Sequence, residues 1–185
     1  MAKKRRKATK TTKAYHGFRA RSGGQTLRSW TVAAVPVINH LLERMRLEEI
    51  LLQHLPPDDR RLEVPTSRGL LLLVRNVLLS REPIYGLAEW SERYAPDLLG
   101  LTVQQLGKLN DDRIGRCLDR LFDATTPQLI MDVVRHVVSE FDVELKELHN
   151  DSTTVSFFGA YEEAAHEDHR RGRTTAAITF GHSKD

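Results

Sequence analysis

Three groups of residues in this 185-residue chain have the types and spacing to do chemistry. The first centres on Asp151, in the run Leu148-His149-Asn150-Asp151-Ser152-Thr153-Thr154-Val155. A carboxylate on a strand, ringed by small hydroxyl residues, suits a hard cation such as Mg2+, which takes oxygen ligands and keeps several waters. A strand fixes the carboxylate's direction, and Ser or Thr can orient it from behind. One Asp cannot hold two ions, however, and an Asp so placed is more often a turn or capping residue. The second group is Arg113, Arg116 and Arg120, spaced to share one face of a helix opposite Ile114, Leu118 and Leu121. With the preceding segment from Thr102 they suggest a helix-turn-helix whose second helix could meet phosphates or a major groove. Asp111, Asp112, Asp119 and Asp123 surround these arginines, and a charged helix face is usually only solvated. The third group is His166 and His169 with Glu167 and Asp168. No Cys joins them, and histidines in a charged loop are usually solvent-exposed, so zinc is not expected there.

The charge is unevenly spread. Residues 1–42 hold ten of the 28 Lys and Arg and no Asp or Glu, so the remainder carries 18 basic against 25 acidic residues. Lys3, Lys4, Arg5, Arg6 and Lys7 head this arm. A basic arm on an acidic body reads as a polyanion-binding tail or as a solubilising leader. If its cations meet phosphates, each releases a counterion and binding falls steeply with salt. The single cysteine, Cys117, excludes an internal disulfide and fits a reducing compartment. The longest apolar run, Leu70 to Val74, is far short of the roughly 20 residues that span a bilayer. A soluble, cytoplasmic protein without membrane contact is expected.

The elements that must position these groups are mostly helices. Residues 1–30 are basic and polar with no apolar period, and are expected to be a disordered or weakly ordered arm. From Ala34, apolar residues recur at helical spacing: Val35, Ile38, Leu41, Leu42 and Met45, then Leu47, Ile50, Leu51 and Leu55. Pro56-Pro57-Asp58-Asp59 stops the second helix, and a loop follows to residue 66. Thr66 or Ser67 can cap a third helix, running to about Ser80 and apolar around most of its circumference, as a buried central helix is. Arg75 and Asn76 interrupt it and can hydrogen-bond internally. Ile84, Leu87 and Trp90 mark a short helix, with Trp90 and Tyr85 expected in the core or an interface. Thr102 and Gln105 have capping-box spacing. Asn110 can cap a helix from Asp111 to about Phe122, with Cys117 on its apolar stripe. Thr126-Pro127 opens the last helix, to about residue 141. The texture then changes: 143–148 and 152–158 read as strand, 159–173 as a charged loop and 174–180 as a further strand. The fold class expected is mainly α, in three parts: arm 1–30, helical bundle 31–141, and the opening strands of a second domain, 142–185.

Several long segments in order resemble one family. They are Ala34-Val35-Pro36-Val37-Ile38-Asn39-His40, Leu55-Pro56-Pro57-Asp58-Asp59-Arg60-Arg61, the run from Leu71 to Pro83, Leu109 to Arg116, Leu148 to Val155, and Thr179 to Asp185. Together they resemble the N-terminal portion of DDE transposases of the IS1634 group in the IS4-like superfamily, over about residues 31–185. The resemblance implies that the second domain begins an RNase H-like α/β fold. It implies that Asp151 is the first of three acidic metal ligands, on that fold's first strand. Two Mg2+ ions, about 3.5–4 Å apart, would then activate a water or 3′-hydroxyl and stabilise the leaving oxygen. The other two acids are expected downstream of residue 185, so this chain alone is expected neither to cut nor to join DNA. Its implied partners are transposon-end DNA and either a second copy or a full-length transposase. Two other readings stay open: a catalytically inert DNA-binding regulator of transposition, and a small helical interaction module.

Overall fold

Val35, Ile38 and Leu42 are buried along one side of α1 (Val35–Arg44), and Pro36 occupies its first turn, where the missing N–H breaks no bond. The structure is a computed structural model describing residues 21–22, 25–26, 29–147, 168–170, 172–175 and 177. It divides into two units, residues 1–136 and 137–185.

In the first unit, α1 turns at Arg46 (φ 49°) into α2 (Leu47–His54), which buries Ile50 and Leu51. Extended Leu55 ends α2 before Pro56, as a residue preceding proline favours. The central helix is α3 (Thr66–Leu79). It separates two apolar clusters. Leu72 joins Val35, Leu87, Trp90, Leu99 and Ile114 in one. Leu70 and Leu71 join Ile38, Leu51, Cys117 and Leu129 in the other. The expected central helix is therefore present, but its far end is open: Val77 is 57% and Leu78 62% exposed. Its start also differs from expectation. Thr66 and Ser67 lie buried inside the helix, and the cap comes from eight residues upstream. Asp58 accepts the Thr66 N–H at 3.0 Å and the Thr66 hydroxyl at 2.5 Å.

Asn76 closes the other end of α3. Its Nδ2 donates to Glu82 O (2.7 Å) and its Oδ1 accepts from Glu82 N (3.1 Å), the internal bonding expected of it. A 3-10 turn (Ile84–Gly86) leads into α4 (Leu87–Ser91), whose Trp90 is buried and donates Nε1 to Ser80 Oγ at 2.8 Å. Tyr85, expected like Trp90 in the core or an interface, is 82% exposed and so outside the core. A second 3-10 turn, Pro96–Leu99, precedes α5 (Val103–Leu106), which carries the expected reciprocal capping box between Thr102 and Gln105. Asn110 caps α6 (Asp111–Asp123) by accepting from Arg113 N at 2.8 Å. α7 (Thr126–Glu140) follows, and the boundary between units falls within it. His54 ties α2 to α7: Nε2 lies 2.8 Å from Asp132 Oδ2, and Nδ1 3.0 Å from Thr125 Oγ1. Inside the expected disordered arm, β1 (Arg21–Ser22) pairs antiparallel with β2 (Gln25–Thr26).

In the second unit, α7 closes with Asp142 in left-handed conformation (φ 50°) and the Val143 N–H bonded to Val138 O. Residues 143–147 form no strand, although their alternation predicts one. The described strands are β3 (Asp168–Arg170) and β4 (Arg173–Thr175), an antiparallel hairpin turning at Gly172 (φ 77°). β3 and Arg173 fall in the expected 159–173 loop, and Thr174 and Thr175 of β4 fall in the strand expected at 174–180. The fold is mainly helical, as expected. Most of the expected strand sequence, 148–167 and 178–185, lies outside the described residues. No helix among the described residues is long and apolar enough to cross a membrane.

Candidate functional site

The helix-turn-helix candidate is α5, the turn at Gly107 to Asn110, and α6. α6 is first of all a packing helix: Ile114 and Cys117 are buried, and α3 comes so close that only Gly69 fits opposite Cys117. Two of its three arginines already have partners. Arg120 Nη2 donates to Pro56 O (2.8 Å) and Pro57 O (2.5 Å) and lies 3.4 Å from Asp58 Oδ1. Arg113 pairs with Glu63, which also meets Lys108 at 3.2 Å. Lys108 and Arg113 hold the Glu63 carboxyl below its usual range, the Lys108 bond contributing most. The two arginines thus pin the loop 56–63 along α6 from both ends, and Asp58 at one end caps α3. Arg116, between them, is exposed and makes no ion pair among the described residues, with exposed Asp112 one turn away. Arg113, Arg116 and Arg120 share one side of α6, as their spacing predicts, and the 56–63 loop takes up two of them.

A second feature surrounds Arg75, whose internal hydrogen bonding was expected; it lies on α3 and is 7% exposed. Its Nε donates to Asn39 Oδ1 at 2.8 Å, and Asn39 Nδ2 donates to Leu98 O at 2.8 Å, so the arginine links α1, α3 and the Pro96–Leu99 turn. Nη1 is buried with no hydrogen-bond partner among the described residues. Burial pushes the guanidinium's pKa down, and Glu48 and Glu43 push it partly back. The side chain lines a cavity of about 370 Å³, with Asn39, Leu42, Glu43, Leu47, Glu48 and Asp97 among the other walls. A neighbouring recess of about 260 Å³ shares Glu48, Leu71, Arg75, Asp97 and Gly100 with it. The two Asn39 hydrogen bonds span 36 and 59 positions, and no local motif announces such a site.

Asp151, the arm residues Lys3, Lys4, Arg5, Arg6 and Lys7, and His166 lie outside the described residues. His169 sits in β3, exposed, with Nδ1 3.4 Å from Thr174 Oγ1. No group of three or more His, Cys, Asp or Glu is gathered for a metal among the described residues. Cys117 is buried and its thiol is pushed up to about 11, chiefly by burial, which makes it a core residue rather than a nucleophile.

These features define a helical domain with internally clamped arginines and an open cavity walled in part by the buried Arg75. Residues 28–135 match the family described as a domain of unknown function (DUF4277), and the chain belongs to that family. The match coincides closely with the helices of the first unit. No curated protein and no solved structure matches the chain.

Proposed function

We propose that this chain is the N-terminal portion of a DDE-type transposase of the IS1634 group, in which the helical domain and its basic arm hold transposon-end DNA. The observation that carries this reading is the ordered series of sequence segments from Ala34 to Asp185, in which the Leu148–Val155 run follows the helical domain. The strands of the second unit would begin an RNase H-like domain, and Asp151 would be its first metal ligand. The magnesium ions would supply charge neutralisation for phosphoryl transfer. The described residues gather no carboxylate cluster that fits them, so the metal chemistry rests on Asp151 and the two further acids that the resemblance requires. Alone, the chain binds DNA without cutting it. Its protein partner is a second copy or a longer transposase, in a soluble cytoplasmic setting. Of the helix arginines, Arg116 is the one with a side chain to spare, while Arg113 and Arg120 act by holding the 56–63 loop.

The test is binding to transposon-end and random duplexes across a salt series. If Lys3, Lys4, Arg5, Arg6 and Lys7 all meet phosphates, replacing the five with Ala lowers the slope of log K against log salt by about 4 to 5 units. An unchanged slope removes the arm from the reading, and no binding to either duplex removes the reading itself. Nicking that needs Mg2+ and is abolished by Asp151→Ala would show the chain to be an enzyme on its own. Binding that blocks a full-length transposase would favour the regulator instead.

A further inference from the structure

Tyr85 has no part in the reading above. It is 82% exposed, and its neighbours Pro83 and Ile84 are exposed with it. Single exposed apolar residues are ordinary on a protein surface. Three in a row on a held turn make a contact face. The turn is fixed at both ends. Buried Asn76 bonds both backbone groups of Glu82, at 2.7 and 3.1 Å. Gly86 N donates to Pro83 O at 2.9 Å, and the chain then enters the core at Leu87, 1% exposed. A tyrosine mounted in this way has only two torsions left to immobilise, so its ring is a preorganised face.

The turn is tied to the root of the basic arm. Residues 1–28 hold ten Lys or Arg and no Asp or Glu, and the chain then reaches the helical domain at Trp30, 41% exposed. Thr31 N donates to Arg93 O at 2.7 Å. Arg93 Nη1 lies 4.0 Å from Glu82 Oε1, and Glu82 Oε2 stands 3.8 Å from where a Gly86 Cβ would be. Two contacts therefore link the arm's root to the turn that carries Tyr85. The charges around the ring are mixed. Arg81 is exposed and makes no ion pair among the described residues, and Glu82 faces Arg93. Glu89 on α4 and Glu92 just after it are exposed. These two carboxylates oppose a phosphate at the turn, whereas the neutral face of a base meets no such penalty. A nucleic acid whose phosphates are held by the arm therefore fits this turn through a base, and the base must be unstacked to offer its face.

We propose that Tyr85 stacks on an unpaired base of DNA, in a single strand or at a duplex end, while the arm holds the neighbouring phosphates. The proposal rests on the DNA reading above and adds to it a preference for unpaired over fully paired DNA. Every base has a π-face, so the stacking is indifferent to sequence. It neutralises no phosphate, so it releases no counterion.

The experiment offers one duplex, blunt or with a short single-stranded overhang, to the full chain, to Tyr85→Ala and to Tyr85→Phe. The overhang carries 2-aminopurine, whose fluorescence drops on stacking. The full chain is expected to prefer the overhang and to quench the probe. Tyr85→Ala is expected to weaken overhang binding roughly 5- to 150-fold, the worth of one stacked base, at an unchanged Tm and with blunt binding unaltered. That deficit is expected to stay the same across a salt series, unlike one from a lost phosphate contact. Tyr85→Phe keeps the ring and is expected to match the parent chain. Overhang binding and quenching that survive Tyr85→Ala, or a deficit that Tyr85→Phe shares, overturn the stacking and leave the DNA reading standing. A solution mass that falls in Tyr85→Ala while DNA binding is unchanged assigns the turn to a second copy and overturns it too. Binding to neither duplex overturns both the stacking and the DNA reading.

Discussion

At the crossing of α3 and α6, Gly69→Ala is the informative change. A Cβ at position 69 would lie 2.5 Å from Cys117 Sγ, 3.5 Å from Cys117 Cβ and 3.9 Å from Ile114 Cδ1. The last two are ordinary contacts, so the sulfur alone is the obstacle. Cys117 is 2% exposed within a packed cluster, so Sγ has little room to swing away and the two helices must shift. Overpacking of this kind costs about 1–3 kcal/mol, against which alanine gains about 1 kcal/mol of helix propensity over glycine. The net is a loss of up to about 2 kcal/mol, which at this chain length lowers Tm by up to about 8 °C. Cys117→Ala alone removes a buried sulfur and costs about 1 kcal/mol. In the double variant the new methyl takes the sulfur's place, and the propensity gain returns without the clash. Thermal melts of the four proteins give the coupling between the sites, expected to be favourable by about 1–3 kcal/mol. Additive single effects would show that the helices do not meet through Gly69 and Cys117.

Other outcomes follow from the same contacts. Asp58→Ala removes both bonds that cap Thr66 and the carboxylate beside Arg120, and should cost about 2–4 kcal/mol in urea unfolding; a loss under about 0.5 kcal/mol would mean the cap is not made. His54→Ala severs the link from α2 to Thr125 and Asp132 and should cost about 1–2 kcal/mol, most of it lost equally by Asp132→Ala. Stability should fall as pH rises from about 9 to about 11, because the buried Cys117 thiol keeps its proton there while the unfolded chain's thiol has lost it. That part of the slope should vanish in Cys117→Ala under reducing conditions.

The helices were legible in the sequence because burial on one side repeats at a helical period, and here the period is clean. Val35, Ile38 and Leu42, or Ile114 and Cys117, declare their faces without reference to anything distant. Caps written within a few residues were legible for the same reason, as at Thr102 and Asn110. Asp58 was not, because it caps α3 from across a loop whose path is set by Arg120 on a helix over 60 residues later. Alternation misled at 143–147. A period of two permits a strand but does not supply its partner, and these residues instead follow a helix end closed by Asp142 and Val143. β3 was missed in turn because its sequence is charged and its turn rests on the left-handed Gly172 rather than on an apolar face, whereas Thr174 and Thr175 of β4 fall in the strand expected from 174.

The arginines show where sequence reading stops for function. A helical period establishes that Arg113, Arg116 and Arg120 share a side, and on a free helix that side would be a plausible phosphate contact. Whether it is free depends on the loop 56–63, whose carbonyls and carboxylates take up Arg113 and Arg120. An arginine already bonded to protein oxygens gains less from a phosphate, since the old bonds must break or be shared. On the DNA-binding reading, affinity in this domain should therefore depend on Arg116, which makes no ion pair among the described residues, and should respond to Arg113 and Arg120 only through loss of the loop. Arg75 inverts the case. The sequence marks it as a polar interruption of an apolar helix, whereas in the fold it links three elements through Asn39 and keeps Nη1 buried without a partner among the described residues.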